Sequence, residues 1–247
     1  MDTDTILQLN QLNQAFYATT ATEFDKTRNH NWPGWERISV QVPTRSISSV
    51  LDVGCGNGRF ALFADDTFPN LQNYIGIDSS VELLNAAPKK LVNATTKYKH
   101  IDLIESLQSS TDLLETSDTF DLIVVFGVMH HIPSKELRKQ LLARLSDALS
   151  PQGFLVFTTW QFMEFERFTR RLVSPNEVGI APEDLENGDF LLDWRRGERA
   201  IRYCHYYTEE EVVDLLDATD LHLVQSYRAD GKEGNVNRYY IVQKHSA

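Results

Sequence analysis

The chain has 247 residues, 42% hydrophobic and 24% charged, the balance of a soluble globular protein. A formal net charge of −11 excludes a surface that is basic throughout, as a dedicated nucleic-acid platform needs, and leaves room only for a local basic patch or a basic partner. Cys55 and Cys204 are too few for a disulfide framework or a cysteine zinc cluster, and no stretch approaches a membrane span or a targeting segment, so a cytoplasmic location is expected.

Residues 1–46 read as an N-terminal helical segment, with Leu7, Leu12 and Phe16 spaced for an apolar stripe and Pro33 and Gly34 breaking the helix in RNHNWPGW. The pattern then changes to short apolar runs: SSVLDVG (48–54), NYIGID (73–78), FDLIVVF (120–126) and GFLVFTTW (153–160). Helices are predicted between them at 58–65, 80–87 and 134–149. In the last, Ser134 caps, Leu137, Leu141, Leu145 and Leu149 make the stripe, and Pro151 and Gly153 end it. Strands alternating with helices predict a mostly parallel sheet covered on both faces. The alternation stops at 161–203, which has weak strand signals and reads as an inserted segment over the C-terminal edge of the sheet. It resumes with TEEEVVDLLDATD, opened by a capping box of Thr208 and Glu211. LHLVQSYR and VNRYYIVQK follow as a closing antiparallel hairpin, so that 1–247 reads as one domain.

LDVGCGNGRF places Gly54, Gly56 and Gly58 in a turn between a strand and a helix, where the backbone can approach a ligand at the helix N-terminus. Asp78 ends the next strand, where an acid commonly holds ribose hydroxyls. The spacing is Gly-x-Gly-x-Gly, with Asp52 two residues before the first glycine. This resembles the S-adenosylmethionine site of class I methyltransferases. The resemblance implies a Rossmann-like fold: a seven-stranded, mostly parallel sheet with helices on both faces and a C-terminal antiparallel hairpin. It also implies S-adenosylmethionine as cofactor, leaving as S-adenosylhomocysteine. Asp52, Gly54, Gly56, Asn57, Gly58, Asp78, Ser79, Asp102, Leu103 and Phe126 would bind it, with Asp102 of HIDL beside the adenine. On the residues alone, Asp78 and Asp102 also read as helix caps.

GVMHH (127–131) sets two histidines after the fourth strand. If strand geometry continues through them, their side chains point to opposite faces and do not chelate one metal, and no third ligand stands nearby at metal-site spacing. No metal is therefore expected; His130 is assigned to the pocket and His131 to packing behind it.

DKTRNHNWP, VMHHIPSKELR, FLVFTTWQFME and RYCHYYTEEEV together resemble blocks of one narrower family, the tRNA methyltransferases that esterify the carboxymethyl group of a modified wobble uridine. The chain departs from that family between Trp160 and Arg202, where relatives often carry a long basic insertion and this one is short and of mixed charge. The resemblance implies tRNA as acceptor and allows a small zinc-containing activator subunit at the edge of the third strand, here TTKYKHI (95–101). A carboxylate attacking a sulfonium methyl needs no general base, so the residues that matter position the reactants. Arg28 and Arg202 would fork onto a carboxylate or phosphate, His130, Tyr203 and His205 would hydrogen-bond around the uracil, and Trp32 would stack on it. Two other functions stay open at this point: methylation of a small carboxylic acid or other metabolite, and a silent cofactor-binding subunit.

Overall fold

The structure, a computed structural model, describes residues 1–26, 30–109, 119–195 and 198–245. A long helix α1 (Thr3–Lys26) is followed by two single-turn helices, α2 (Pro33–Glu36) and α3 (Ile38–Gln41). Pro33 begins α2 rather than breaking a helix: at the first helical position its missing N–H has no partner to lose. The buried stripe of α1 is Thr5, Ile6, Leu9, Asn13, Phe16 and Thr20, which keeps Phe16 of the expected set but leaves Leu7 and Leu12 only half-buried. A polar residue is tolerated on it because Asn13 Oδ1 accepts the Tyr203 amide at 2.8 Å.

Strands and helices then alternate: β1 (Ser49–Val53), α4 (Arg59–Thr67), β2 (Asn73–Asp78), α5 (Val81–Ala86), β3 (Thr95–His100), α6 (Leu103–Ser109), β4 (Phe120–Val125), α7 (Lys135–Asp147) and β5 (Leu149–Trp160). Helix α8 (Glu166–Thr169) and strands β6 (Leu172–Val173), β7 (Asp189–Trp194) and β8 (Ala200–His205) come next, before α9 (Glu209–Asp217), β9 (Leu221–Ala229) and β10 (Asn237–Lys244). Seven strands form one sheet in the order β3-β2-β1-β4-β5-β10-β9, the first five parallel and β10 antiparallel to both its neighbours. The chain order reverses between β1 and β4, so their C-terminal ends part and leave a crevice. One apolar layer packs Val50, Leu122 and Val124 against α4; the other packs Leu51, Ile123 and Leu155 against α7 and α9.

The segment after Trp160 differs from the expectation of weak structure. β6, β7 and β8 form a second, antiparallel sheet of three strands. The apolar alternation that announces a strand is diluted there by charged residues that bind one another: Asp193, with a fully buried side chain, holds Arg195 at 2.6 Å and Arg199 at 3.1 Å. This sheet packs on α1 through Leu9, Ile180, Leu191 and Tyr203. The capping box of α9 is only half made. Thr208 Oγ1 accepts the Glu211 amide at 3.1 Å, but the Glu211 carboxylate turns to His205 and Arg138. No helix among the described residues is long and apolar enough to cross a membrane.

Candidate functional site

β1 runs straight into the glycine turn. Gly54 has φ 73° and sits against Val128, whose methyl carbon a Cβ would meet at 2.1 Å. Gly56, at φ 54°, has open space where its Cβ would be, with only Leu83 near at 3.9 Å. The first glycine thus packs β1 against the β4 loop, and the second bares backbone to the crevice. Asp78, at the end of β2, ties the turn together: one carboxylate oxygen accepts the Gly56 amide and the other the Ser80 amide, both at 2.8 Å. Burial raises its pKa, against the lowering effect of the Ser80, Gly56 and Ser79 amides. Asp52 is almost fully buried and accepts the Tyr74 hydroxyl; burial pushes its carboxyl up to about 7 in spite of that bond.

Asp52, Gly54, Gly56, Asn57, Asp78, Ser79, Asp102, Leu103, Phe126 and Trp32 border one cleft. Gly58 does not line it: it caps α4 in the left-handed region, packed against Pro88 and Ala87. Asp102 has two jobs. One oxygen accepts the Ile104 and Glu105 amides at 2.8 and 3.0 Å, capping α6; the other accepts Asn10 at 3.0 Å and also Gln14. Asn10, Asn13, Gln14 and Tyr17 of α1 line the same cleft and were not foreseen. Their signal was present as polar side chains recurring at helical spacing along one face of QLNQLNQAFY.

The placement of the two histidines is reversed. Met129–His131 forms a 3-10 turn, so the strand geometry on which opposite faces depended ends before them, and the two rings lie 4.2 Å apart. His131, not His130, lines the cleft. Its Nδ1 faces the Tyr203 carbonyl at 2.9 Å and therefore carries the proton, leaving Nε2 to accept the Tyr17 hydroxyl at 2.7 Å. His130 is buried, its ring 5.4 Å from Trp160. Cys204 joins them: the three side chains bring donor atoms within 4.8 Å of one another. The spacing along the chain gave no third ligand beside the histidines, and the fold brings Cys204 there; burial lifts its thiol to about 12, and both His131 nitrogens are engaged within the protein.

Strand periodicity divides the residues expected from β8. Arg202 and Cys204 point one way, Tyr203 and His205 the other. Arg202 is 8% exposed, its guanidinium carbon 4.5 Å from the Trp160 ring and 5.0 Å from the Phe16 ring. No carboxylate among the described residues pairs with it. It does not border the cofactor cleft; its neighbour Phe16 adjoins Tyr17, which does, and its neighbour Trp160 adjoins the buried His130. Tyr203 and His205 turn away from the cleft, contrary to the uracil-binding roles expected of them. The Tyr203 hydroxyl donates to Asp189 at 2.7 Å, and His205 bridges Asp189 at 2.6 Å and Glu211 at 2.9 Å. Burial lowers the His205 pKa, but its bonds to Asp189 and Glu211 outweigh that and leave it raised. This buried network fastens the second sheet to α9 and, through Arg138, to α7. Trp32 lines the cleft and stacks on Trp35, their centroids 5.8 Å apart, with Phe126 and Phe60 completing an aromatic wall. Arg28 lies outside the described residues.

The donor set fits S-adenosylmethionine: Asp78 keeps lone pairs for a diol, Gly56 leaves the backbone bare, and Asp52 sits where a cation would stabilise its ionised form. A family model described as a methyltransferase domain matches residues 14–226. A protein of Encephalitozoon cuniculi named as a methyltransferase is 26% identical over 201 residues, covering 81% of this chain and 82% of that one. The tRNA (carboxymethyluridine(34)-5-O)-methyltransferase of Saccharomyces cerevisiae is 26% identical over 145 residues, which is 58% of this chain and 46% of that protein. The crystal structure of a SAM-dependent methyltransferase from Methanosarcina mazei shares the fold, with a TM-score of 0.62 at 20% identity, covering 88% of this chain and 99% of that one.

Proposed function

The chain belongs to the class I S-adenosylmethionine-dependent methyltransferases, and from that premise we propose that it esterifies a carboxylate, the carboxymethyl group of a modified wobble uridine in tRNA. The observation that carries the reading is Arg202: a buried guanidinium with no carboxylate partner among the described residues. Its two aromatic neighbours stabilise the charge but accept no bidentate fork, which a ligand carboxylate would complete. The yeast relative supports the choice of acceptor.

S-adenosylmethionine, when bound, supplies an electrophilic methyl group on a sulfonium. Asp78, the Gly56 backbone and Asp102 would hold its adenosine end, and Asp52 would face its positive charge. Arg202 orients the acceptor carboxylate, leaving one oxygen free to attack. His131, fixed as the Nδ1–H tautomer between the Tyr203 carbonyl and the Tyr17 hydroxyl, walls the site and removes no proton, because the nucleophile is already an anion. Trp32 and Phe126 give an apolar face that excludes water and can stack on a base.

A second reading keeps Arg202 in this role and replaces tRNA with a small carboxylic acid. Its support is that Arg167, Arg170, Arg195 and Arg199 of the segment after Trp160 are each paired with an acid and so offer little to phosphates. Labelled methyl transfer to bulk tRNA and to a panel of small acids, with a base-hydrolysis step, separates the two. The expected result is base-labile label in tRNA that digests to a single modified nucleoside; label confined to a small acid would overturn the tRNA reading.

A further inference from the structure

We propose that the free edge of β3 and the loop before it form a docking strip for the phosphate backbone of RNA. The proposal rests on the reading that RNA carries the acceptor. Between Glu82 and Asp102 the chain holds Lys89, Lys90, Lys97, Lys99 and His100 and no carboxylate, on a protein whose net charge is −11. Lys89, Lys90 and Lys97 are exposed, and none of the three has an ion-pair partner among the described residues. Arg167, Arg170, Arg195 and Arg199 are each paired with an acid, whereas Lys89, Lys90 and Lys97 offer a polyanion a run of charge with no acid beside it in the sequence.

Geometry supports this occupant over a protein strand. β3 ends the sheet, paired only with β2. Lys97 and Lys99 are two residues apart and share a face, about 6.6 Å from each other along the strand. Charges so placed obstruct the addition of another β-strand and favour phosphate oxygens, which need a point cation and no backbone pairing. The strip also leads to the cleft. β3 runs parallel to β2, its C-terminal end gives way to Asp102, and His100 bonds the Ser79 carbonyl at 3.0 Å. Three strand spacings, about 14 Å, separate β3 from β4, whose end carries Phe126 and Gly127. A stem gripped at β3 would thus present a neighbouring unstacked base to the aromatic wall.

The test uses the full chain and bulk tRNA. Affinity is measured by fluorescence anisotropy between 50 and 200 mM salt (roughly the range over which phosphate contacts are lost). The wild type is compared with a variant carrying Lys89→Gln, Lys90→Gln, Lys97→Gln and Lys99→Gln and with a second carrying Arg at the same four positions. The Gln variant is expected to bind tRNA at least tenfold more weakly, with a log–log salt slope shallower by about 2–3. Its KM for tRNA rises while kcat and cofactor affinity hold, and the Arg variant matches the wild type. Equal affinity and slope in the Gln variant, with tRNA still methylated, would overturn the strip and leave the acceptor reading standing. A wild type that neither binds nor methylates tRNA would overturn both. Loss of a co-purifying protein without loss of RNA binding would make this edge a protein interface and overturn the proposal.

Discussion

Replacing Arg202 with Met separates a binding residue from a structural one, because the two roles move stability in different directions. Met preserves much of the volume between Trp160 and Phe16 and removes the charge. Two desolvated cation–π contacts stabilise the guanidinium by about 2 kcal/mol each, while keeping an ion in a site 8% exposed costs several kcal/mol. These nearly cancel, so Arg202→Met should unfold within about 4 °C of the wild type, on either side, at about 2–4 °C per kcal/mol for a chain of this size. The acceptor loses a charged hydrogen bond worth about 1.5–3 kcal/mol, so kcat/KM for the methyl acceptor should fall about 10- to 150-fold. S-adenosylmethionine affinity should hold within about twofold, since Arg202 does not border the cofactor cleft. Scanning calorimetry, titration calorimetry and initial rates read the three quantities. A large fall in melting temperature with a matching loss of cofactor binding would make Arg202 a packing residue; unchanged kcat/KM would move the acceptor elsewhere.

The sheet was legible because its strands are short apolar runs between glycine- and proline-marked turns, and burial on both faces leaves little ambiguity in such runs. The glycine turn was equally legible, since open backbone and positive φ at Gly54 and Gly56 demand that residue type locally. What was not legible depends on contacts distant in sequence. The His130 and His131 assignment failed because Val128 leaves the strand for a 3-10 turn, and that bend is fixed by Tyr203 and Tyr207, more than 70 residues away, holding His131 and Met129. The β8 residues were grouped by chemistry, although period two alone forbids Arg202 and Tyr203 from facing one pocket. The contribution of α1 was hidden because its functional face is polar: Asn10 and Gln14 look solvent-facing until Asp102 is brought against them.

Asp78→Ala removes the acceptor that ties Gly56 to Ser80 as well as the contact expected for the ribose, so cofactor affinity should drop at least tenfold, and titration calorimetry giving an unchanged Kd would sink the assignment. His205 has a raised pKa from its two carboxylate partners, so its stabilising contribution is complete below about pH 6.5, the unfolded value, and is lost as pH rises through the folded value. Melting temperature should therefore decline on the alkaline side, and His205→Gln should flatten that decline; a wild-type curve that the substitution leaves unaltered counts against the network. The last prediction concerns Asp52, whose carboxyl lies at about 7 in the free protein because burial, not a neighbouring charge, dominates its environment. Below that pH the group is mostly neutral, and a bound cation favours the ionised form, so cofactor binding must expel the proton. At pH 6 about nine-tenths of the sites would release one, and affinity should be about tenfold weaker than on the plateau above neutrality. Calorimetry in two buffers of different ionisation enthalpy counts the protons directly. Asp52→Asn keeps the bond from Tyr74 and removes the titration, so its cofactor affinity should be flat between pH 6 and pH 7.5 (about the window set by the shifted group). Binding by the wild type without proton release at pH 6 would show that the cofactor's charge is met by some other group.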